Sequence, residues 1–209
     1  MPNFKKIIIK KTEKRLINEF LPLFRKCIEK KAKTKKRFSL VLCGGKSPIN
    51  LYRHLVKFKI NWNIVDFFLV DERLVDLNSK NSNYRLINDI FFKQINIKKK
   101  NIYNISTSKK NIYRCTNDYE KKIRKYFKNK KVIFDLVVLG MGNDGHIASI
   151  FPNNINFKTD KIVGNTSRDD FERVTLNLKT INKSKNIYLW LNNKKKSNIF
   201  KKLKKDKLI

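Results

Sequence analysis

The chain has 209 residues and carries 50 Lys plus Arg against 17 Asp plus Glu, a formal charge of +33, with 41% hydrophobic and 11% aromatic residues. This apolar content excludes a compositionally disordered chain, and the length suits one sizeable core better than two. No apolar run approaches the ~20 residues that span a bilayer, and the start from Met1 to Lys11 offers only Ile7-Ile8-Ile9 where a secretory signal needs a longer block, so a cytoplasmic protein without a membrane partner is expected.

Leu16, Ile17, Phe20, Leu23, Phe24, Cys27 and Ile28 recur at helical spacing, which predicts an amphipathic helix over about residues 13–31 in spite of Pro22. Phe38 to Cys43 is a continuous apolar run that meets Gly44-Gly45, as a buried parallel strand entering a tight loop does. Pro48 suits the first position of a helix that turns Leu51, Tyr52, Leu55 and Val56 inward. A second buried run, Val65 to Val70, ends at the charged triplet Asp71-Glu72-Arg73, and a helix with Tyr84, Leu86, Ile87, Ile90 and Phe91 follows.

Residues 114–128 read as helical, and Val132 to Leu139 is the third strong strand, ending at Gly140-Met141-Gly142. Arg173 to Leu178 and Ile187 to Leu191 are further strand candidates, and a basic helix runs over about 194–205. Strand and helix in alternation predict an α/β fold, a mostly parallel sheet with helices on both faces. Ligands of such sheets bind beyond the carboxyl ends of the strands, where the loops at Gly44, Asp71 and Gly140 all fall.

Cys43-Gly44-Gly45-Lys46-Ser47-Pro48 joins a strand to a helix. Its glycines would let backbone N–H groups approach an anion at the helix N-terminus, with the Ser47 hydroxyl and Lys46 ammonium in support, although the spacing departs from the P-loop and a mere tight turn reads equally well. Asp71, Glu72 and Arg73 place ionisable groups at a strand end, where a solvated loop would serve as well. Gly140 to His146 says more: its three glycines permit a sharp turn that delivers Asp144 and His146 to the same crevice, and a histidine oriented by a carboxylate is a ready general base.

His54, in a predicted helix, is assigned no role. Without further His or Cys near these loops, no metal site is expected, and Cys27, Cys43 and Cys115 have neither the spacing nor the even count of a disulfide framework. The positive charge raises nucleic-acid binding. However, lysine far exceeds arginine and is spread over every segment, as a drift toward AT-rich codons would produce, and neither an aromatic-basic RNA motif nor a recognition helix is present. No specific nucleic-acid partner is expected, and a basic nucleic-acid-binding protein stands as the alternative of another class.

The order of motifs is similar to that of the 6-phosphogluconolactonases. Gly-Gly-Lys-Ser-Pro at 44–48 is followed by Phe-Phe-Leu-Val-Asp-Glu-Arg at 67–73, Asn-Ser-Asn-Tyr-Arg at 81–85, and the long stretch from Phe134 through Gly-Asn-Asp-Gly-His at 142–146 to Pro152. Arg173-Val174-Thr175-Leu176 and Lys196 also fall where that family has an Arg-Ile-Thr-Leu segment and a late lysine. The likeness runs from about residue 13 to 205.

The resemblance implies a modified Rossmann-like sheet shared with glucosamine-6-phosphate deaminases and sugar-phosphate isomerases. It also implies hydrolysis of 6-phosphogluconolactone in the oxidative pentose phosphate pathway, a carboxylic ester hydrolase reaction on a sugar-phosphate lactone, with no cofactor. On this chain His146 would activate water, Asp144 would be its neighbouring carboxylate, Asp71 and Arg73 would line the sugar site with Arg73 near the oxyanion, and Gly44, Gly45, Lys46, Ser47, Arg173 and Lys196 would hold the phosphate. Lys46 stands where the family has Ser or Thr, Asn143 and Ile147 replace an acidic residue and a Thr, and Asn193 replaces a Gly. The implied unit is a single domain over residues 1–209, short at its C-terminus beside the family, in a monomer or homodimer. The nearest rival is a glucosamine-6-phosphate deaminase or related isomerase, against which the Val-Asp-Glu-Arg and Ser-Asn-Tyr-Arg pairing speaks.

Overall fold

The computed structural model describes residues 7–108, 111–152, 160–168, 170–192 and 194–205; Asn193 lies outside them. The first helix, α1 (Glu13–Ala32), turns Ile17, Phe20, Phe24 and Ile28 into the core at intervals of three and four residues, and the Thr12 hydroxyl caps it by accepting the Arg15 N–H. Pro22 is tolerated because it lies on the exposed face. The carbonyl it leaves unbonded belongs to Asn18, which is exposed to water as well.

Five strands pair in parallel: β1 (Phe38–Leu42), β2 (Val65–Leu69), β4 (Ile102–Tyr103), β5 (Leu136–Leu139) and β8 (Ile187–Leu189), in the order β4-β2-β1-β5-β8. Every residue of β1, β2 and β5 is buried, as expected for strands covered on both sides. The helices α2 (Ile49–Val56), α3 (Asn83–Ile90) and α4 (Ile112–Tyr126) connect these strands, and α5 (Leu178–Asn182) and α6 (Lys194–Lys205) follow. Phe24 of α1 meets Phe38 and Trp62, while the Tyr119 hydroxyl of α4 donates to the Leu69 carbonyl and accepts the Leu69 N–H. The fold class is the expected α/β one.

A second, antiparallel sheet stands beside the first, in the order β3-β7-β6, from β3 (Asp71–Arg73), β7 (Glu172–Leu176) and β6 (Val163–Ser167). One extended segment serves both sheets: β2 passes through Val70 into β3, with the Val70 N–H on Leu42 and the Val70 carbonyl on Leu176. The triplet read as a charged loop is therefore a strand, and the candidate at Arg173 to Leu178 belongs to this second sheet and gives way to α5 at Leu178. The candidate at Val132 begins its ladder only at Leu136, because the Asp135 carboxylate accepts the Ser39 N–H in place of a backbone carbonyl. Pro48 is the residue that caps α2 rather than its first turn, and the helix expected from 114 opens at Ile112.

Candidate active site

Because β1 lies between β2 and β5, the loops leaving all three open at one edge of the sheet. The chain reverses its direction of strand addition between β1 and β5, the place where open α/β sheets hold ligands. The loop after β1 is held at its base by the Tyr52 hydroxyl, which donates to the Cys43 carbonyl at 2.7 Å. Gly45 and Lys46 are exposed and Ser47 is buried. Lys196, in the first turn of α6, donates from Nζ to Ser47 Oγ at 2.6 Å, and Asn192 Nδ2 donates to the Ser47 carbonyl at 3.1 Å. Pro48, the N-cap of α2, makes no side-chain cap bond, so the helix's backbone donors face the cradle end of the loop. Burial pushes the neighbouring Cys43 thiol up to about 12, so it stays a neutral thiol and not a nucleophile.

The loop after β5 folds back on itself, the Gly142 N–H donating to the His146 carbonyl at 2.8 Å. A side chain at Gly142 would run into the His146 ring and come within 2.7 Å of Asp144 Oδ1, so a Cβ there would push the His146–Asp144 pair out of place. The turn sets Asp144 Oδ1 2.5 Å from His146 Nδ1, and the His146 ring lies tilted against Phe151 with ring centroids 4.7 Å apart. Burial works to raise the Asp144 carboxyl, but the hydrogen bonds and charge of His146, with a backbone N–H, together outweigh it and hold the group below the usual carboxylate range. Asp144 Oδ2 also meets Arg168 Nη1 at 3.3 Å.

Asp71 enters from β3. Its Oδ2 accepts the buried Ser149 hydroxyl at 2.6 Å, which ties the β5 loop to the second sheet. Burial raises the Asp71 carboxyl above its ordinary value, and the pull of Ser149, Arg73, His146 and Arg173 recovers only part of the shift, so these groups share one electrostatic neighbourhood. Arg73 and Arg173 are cross-strand partners, each with its guanidinium 5.7 Å from the Phe171 ring. Arg73 donates to the Asn81 carbonyl, and Arg173 is buried with Nη2 on both Asp170 oxygens.

The expected residues thus fall into three connected groups: Lys196 with the loop of Gly44, Gly45, Lys46 and Ser47; His146 with Asp144; and Asp71 with Arg73 and Arg173. The bonds of Arg173 run to the hairpin between β6 and β7, those of Lys196 to Ser47. His54 is remote in role, its Nδ1 bonded to the Asn50 carbonyl one turn earlier. Glu72, read from the sequence only as one of three ionisable groups at a strand end, has a fully buried carboxylate that accepts the Arg73, Asn83 and Tyr84 N–H groups and the Ser82 hydroxyl and so caps α3. Sequence reasoning passed over Ser149 and Arg168. Ser149 lay inside a quoted motif, whereas Arg168 carried no signal among so many basic residues.

This fold and this arrangement of loops define a class: the chain belongs to the family of glucosamine-6-phosphate isomerases and 6-phosphogluconolactonases, whose profile matches residues 11–208. Within it, the chain is 35% identical over 181 residues to the 6-phosphogluconolactonase of Thermotoga maritima, covering 86% of this chain and 80% of that protein. The crystal structure of a Thermotoga maritima 6-phosphogluconolactonase superposes with a TM-score of 0.82 over 91% of this chain and 86% of the other. A probable 6-phosphogluconolactonase of Dictyostelium discoideum is 35% identical over 166 residues, 76% of this chain and 70% of its own length. A 6-phosphogluconolactonase structure from Shewanella baltica matches with a TM-score of 0.81 at 25% identity, over 95% of this chain and 86% of that one. Among the described residues no helix is long and apolar enough to cross a membrane.

Proposed function

We propose that this chain hydrolyses 6-phospho-D-glucono-1,5-lactone to 6-phospho-D-gluconate, with His146 as general base. The observation that carries the reading is the 2.5 Å approach of His146 Nδ1 to Asp144. A proton held on Nδ1 by the carboxylate leaves Nε2 as the basic nitrogen. Nε2 takes a proton from water as the water oxygen bonds to the lactone carbonyl carbon, and negative charge gathers on the carbonyl oxygen. When the ring C–O bond breaks, the imidazolium returns its proton to the departing ring oxygen, and the acid formed ionises.

Arg73 is the cation assigned to the developing oxyanion, and Asp71 to the sugar hydroxyls. The backbone of Gly44 and Gly45, with Lys46, Ser47, Lys196 and Arg173, is assigned to the phosphate. A lactone is already electrophilic, so orientation and a general-base step worth about 10²–10⁴-fold suffice without a covalent intermediate. All these residues are assigned to a single domain, and the reaction needs no cofactor.

The test is the hydrolysis of freshly generated lactone, corrected for its spontaneous opening, by the wild type and His146→Ala, with ammonia release from glucosamine 6-phosphate measured alongside. Loss of about 10²-fold or more in the variant is expected. Full activity in a folded His146→Ala protein would remove His146 as base, and ammonia release without lactone hydrolysis would favour the deaminase reading.

A further inference from the structure

We propose that Arg168 is a positioning residue for the His146–Asp144 pair, holding the carboxylate on the imidazole and opposing its charge from the far side. The inference rests on the reading of His146 as general base. Arg168 comes from a part of the chain that none of the three strand-end loops supplies, the connection between β6 and β7. Its N–H donates to the Phe171 carbonyl at 3.1 Å, just beyond the last paired residues Ser167 and Glu172.

From there the guanidinium touches both neighbours of the imidazole. Nη1 lies 3.3 Å from Asp144 Oδ2 while Oδ1 of the same carboxylate lies 2.5 Å from His146 Nδ1. The guanidinium carbon sits 4.5 Å from the centroid of the Phe151 ring, and that ring is 4.7 Å from His146. A carboxylate with a charged or hydrogen-bonded partner on each oxygen cannot turn without breaking one contact. A phenyl ring in contact with the Arg168 guanidinium, the tilted imidazole and the Arg173 guanidinium, whose carbon lies 5.4 Å from its centroid, is likewise held in place.

The Arg168 side chain is 50% exposed, so its ion pair contributes little to global stability and its effect falls on orientation and local field. The sign of that field is fixed by the geometry. Asp144 favours the imidazolium, and a guanidinium on the far side of the carboxylate opposes that preference. Among the described residues, Asp71 of β3 interacts with the imidazole, and Arg73 of β3 and Arg173 of β7, itself paired with Asp170, act in turn on Asp71; all remain when Arg168 is replaced.

The experiment compares wild type with Arg168→Ala, Arg168→Gln and Arg168→Lys, following kcat and KM for the lactone from about pH 5 to about pH 8. Ala and Gln are expected to move the acidic limb of kcat/KM to higher pH by roughly half a unit and to lower kcat roughly three- to tenfold, with KM nearly unchanged. Lys should return the limb toward its original place but not restore kcat, since an ammonium cannot lie flat on Phe151. A drop that is uniform across pH, or an Ala variant that matches wild type, overturns the proposal. If either occurs while His146→Ala is inactive, only the role of Arg168 fails; an active His146→Ala protein instead removes the base reading itself.

Discussion

Lys196 and Ser47, 149 positions apart in the chain, meet with Nζ 2.6 Å from Oγ, so a helix formed late in the sequence closes the loop that follows the first strand. A hydroxyl and an ammonium joined in this way present a donor pair already assembled for an anion, at a helix N-terminus whose N-cap, Pro48, makes no side-chain bond to it. Lys196→Ala is expected to raise KM for the phosphorylated lactone at least about tenfold with little change in kcat, since a charge-assisted hydrogen bond contributes roughly 1.5–3 kcal/mol. Steady-state kinetics on phosphorylated and unphosphorylated lactone check it. An equal effect on both substrates would mean that Lys196 does not serve the phosphate.

Asp144→Asn should keep the fold and lose rate. The amide can still contact Nδ1, but it brings no charge to stabilise the imidazolium that forms in the reaction, and it can hold the wrong tautomer. A fall in kcat of roughly 10²-fold is expected, with unchanged circular dichroism and an unchanged KM. A variant that retains more than half the wild-type kcat would show that Asp144 does not orient the base.

Much of this site was legible because its chemistry sits where apolar runs stop. The ends of the strands at Leu42 and Leu139 are marked by glycines, and buried parallel strands announce themselves by continuous hydrophobicity. The second sheet was not legible, because β3 consists of Asp71, Glu72 and Arg73, a triplet whose composition reads as solvent-facing. What makes it a strand is its antiparallel pairing with residues about a hundred positions later, which no local pattern encodes. Glu72 misleads for the same reason: four donors supplied by its neighbour Arg73 and by the start of α3 make burial of that carboxylate tolerable. The role of Arg168 likewise exists only once the hairpin has formed.

Asp135 anchors the opposite end of the sheet from the site. Its carboxylate accepts from Lys31, Lys185, the Ser39 N–H and the Ser39 hydroxyl, with its side chain only 5% exposed. Burial works to raise its pKa, but the bonds from Lys185 and Lys31 prevail and hold it below the ordinary carboxylate value. A depressed folded-state pKa means stability that is present above the unfolded value of about 3.9 and is lost as pH falls through the folded one. Asp135→Ala should therefore cost roughly 3 kcal/mol at neutral pH, a fall in Tm of roughly 6–12 °C, and the cost should shrink below about pH 3. Thermal melts across that range decide it; a penalty independent of pH would assign the loss to packing instead of charge.

Gly44 couples the cradle to Asp71 through Asn83. A Cβ at Gly44 would overlap the amide end of Asn83 and come within 2.8 Å of its Cβ. Asn83 is buried, its N–H is bonded to Glu72, and its Nδ2 donates to the Asp71 carbonyl at 3.1 Å, so it cannot swing aside without loosening β3. Gly44→Ala is expected to lower kcat/KM more than about tenfold and to destabilise the fold by roughly 1–3 kcal/mol, as overpacking does. Gly45→Ala is the contrast: nothing lies within 4 Å of its Cβ position, but its φ of +81° makes a side chain strained, so about 1 kcal/mol of stability should be lost with no steric push on Asn83. The double variant Gly44→Ala with Asn83→Ala separates the causes. If the clash with Asn83 carries the effect, the two changes together are less destabilising than the sum of each alone. Strict additivity in Tm would mean that Gly44 is required for the approach of substrate and not for room beside Asn83.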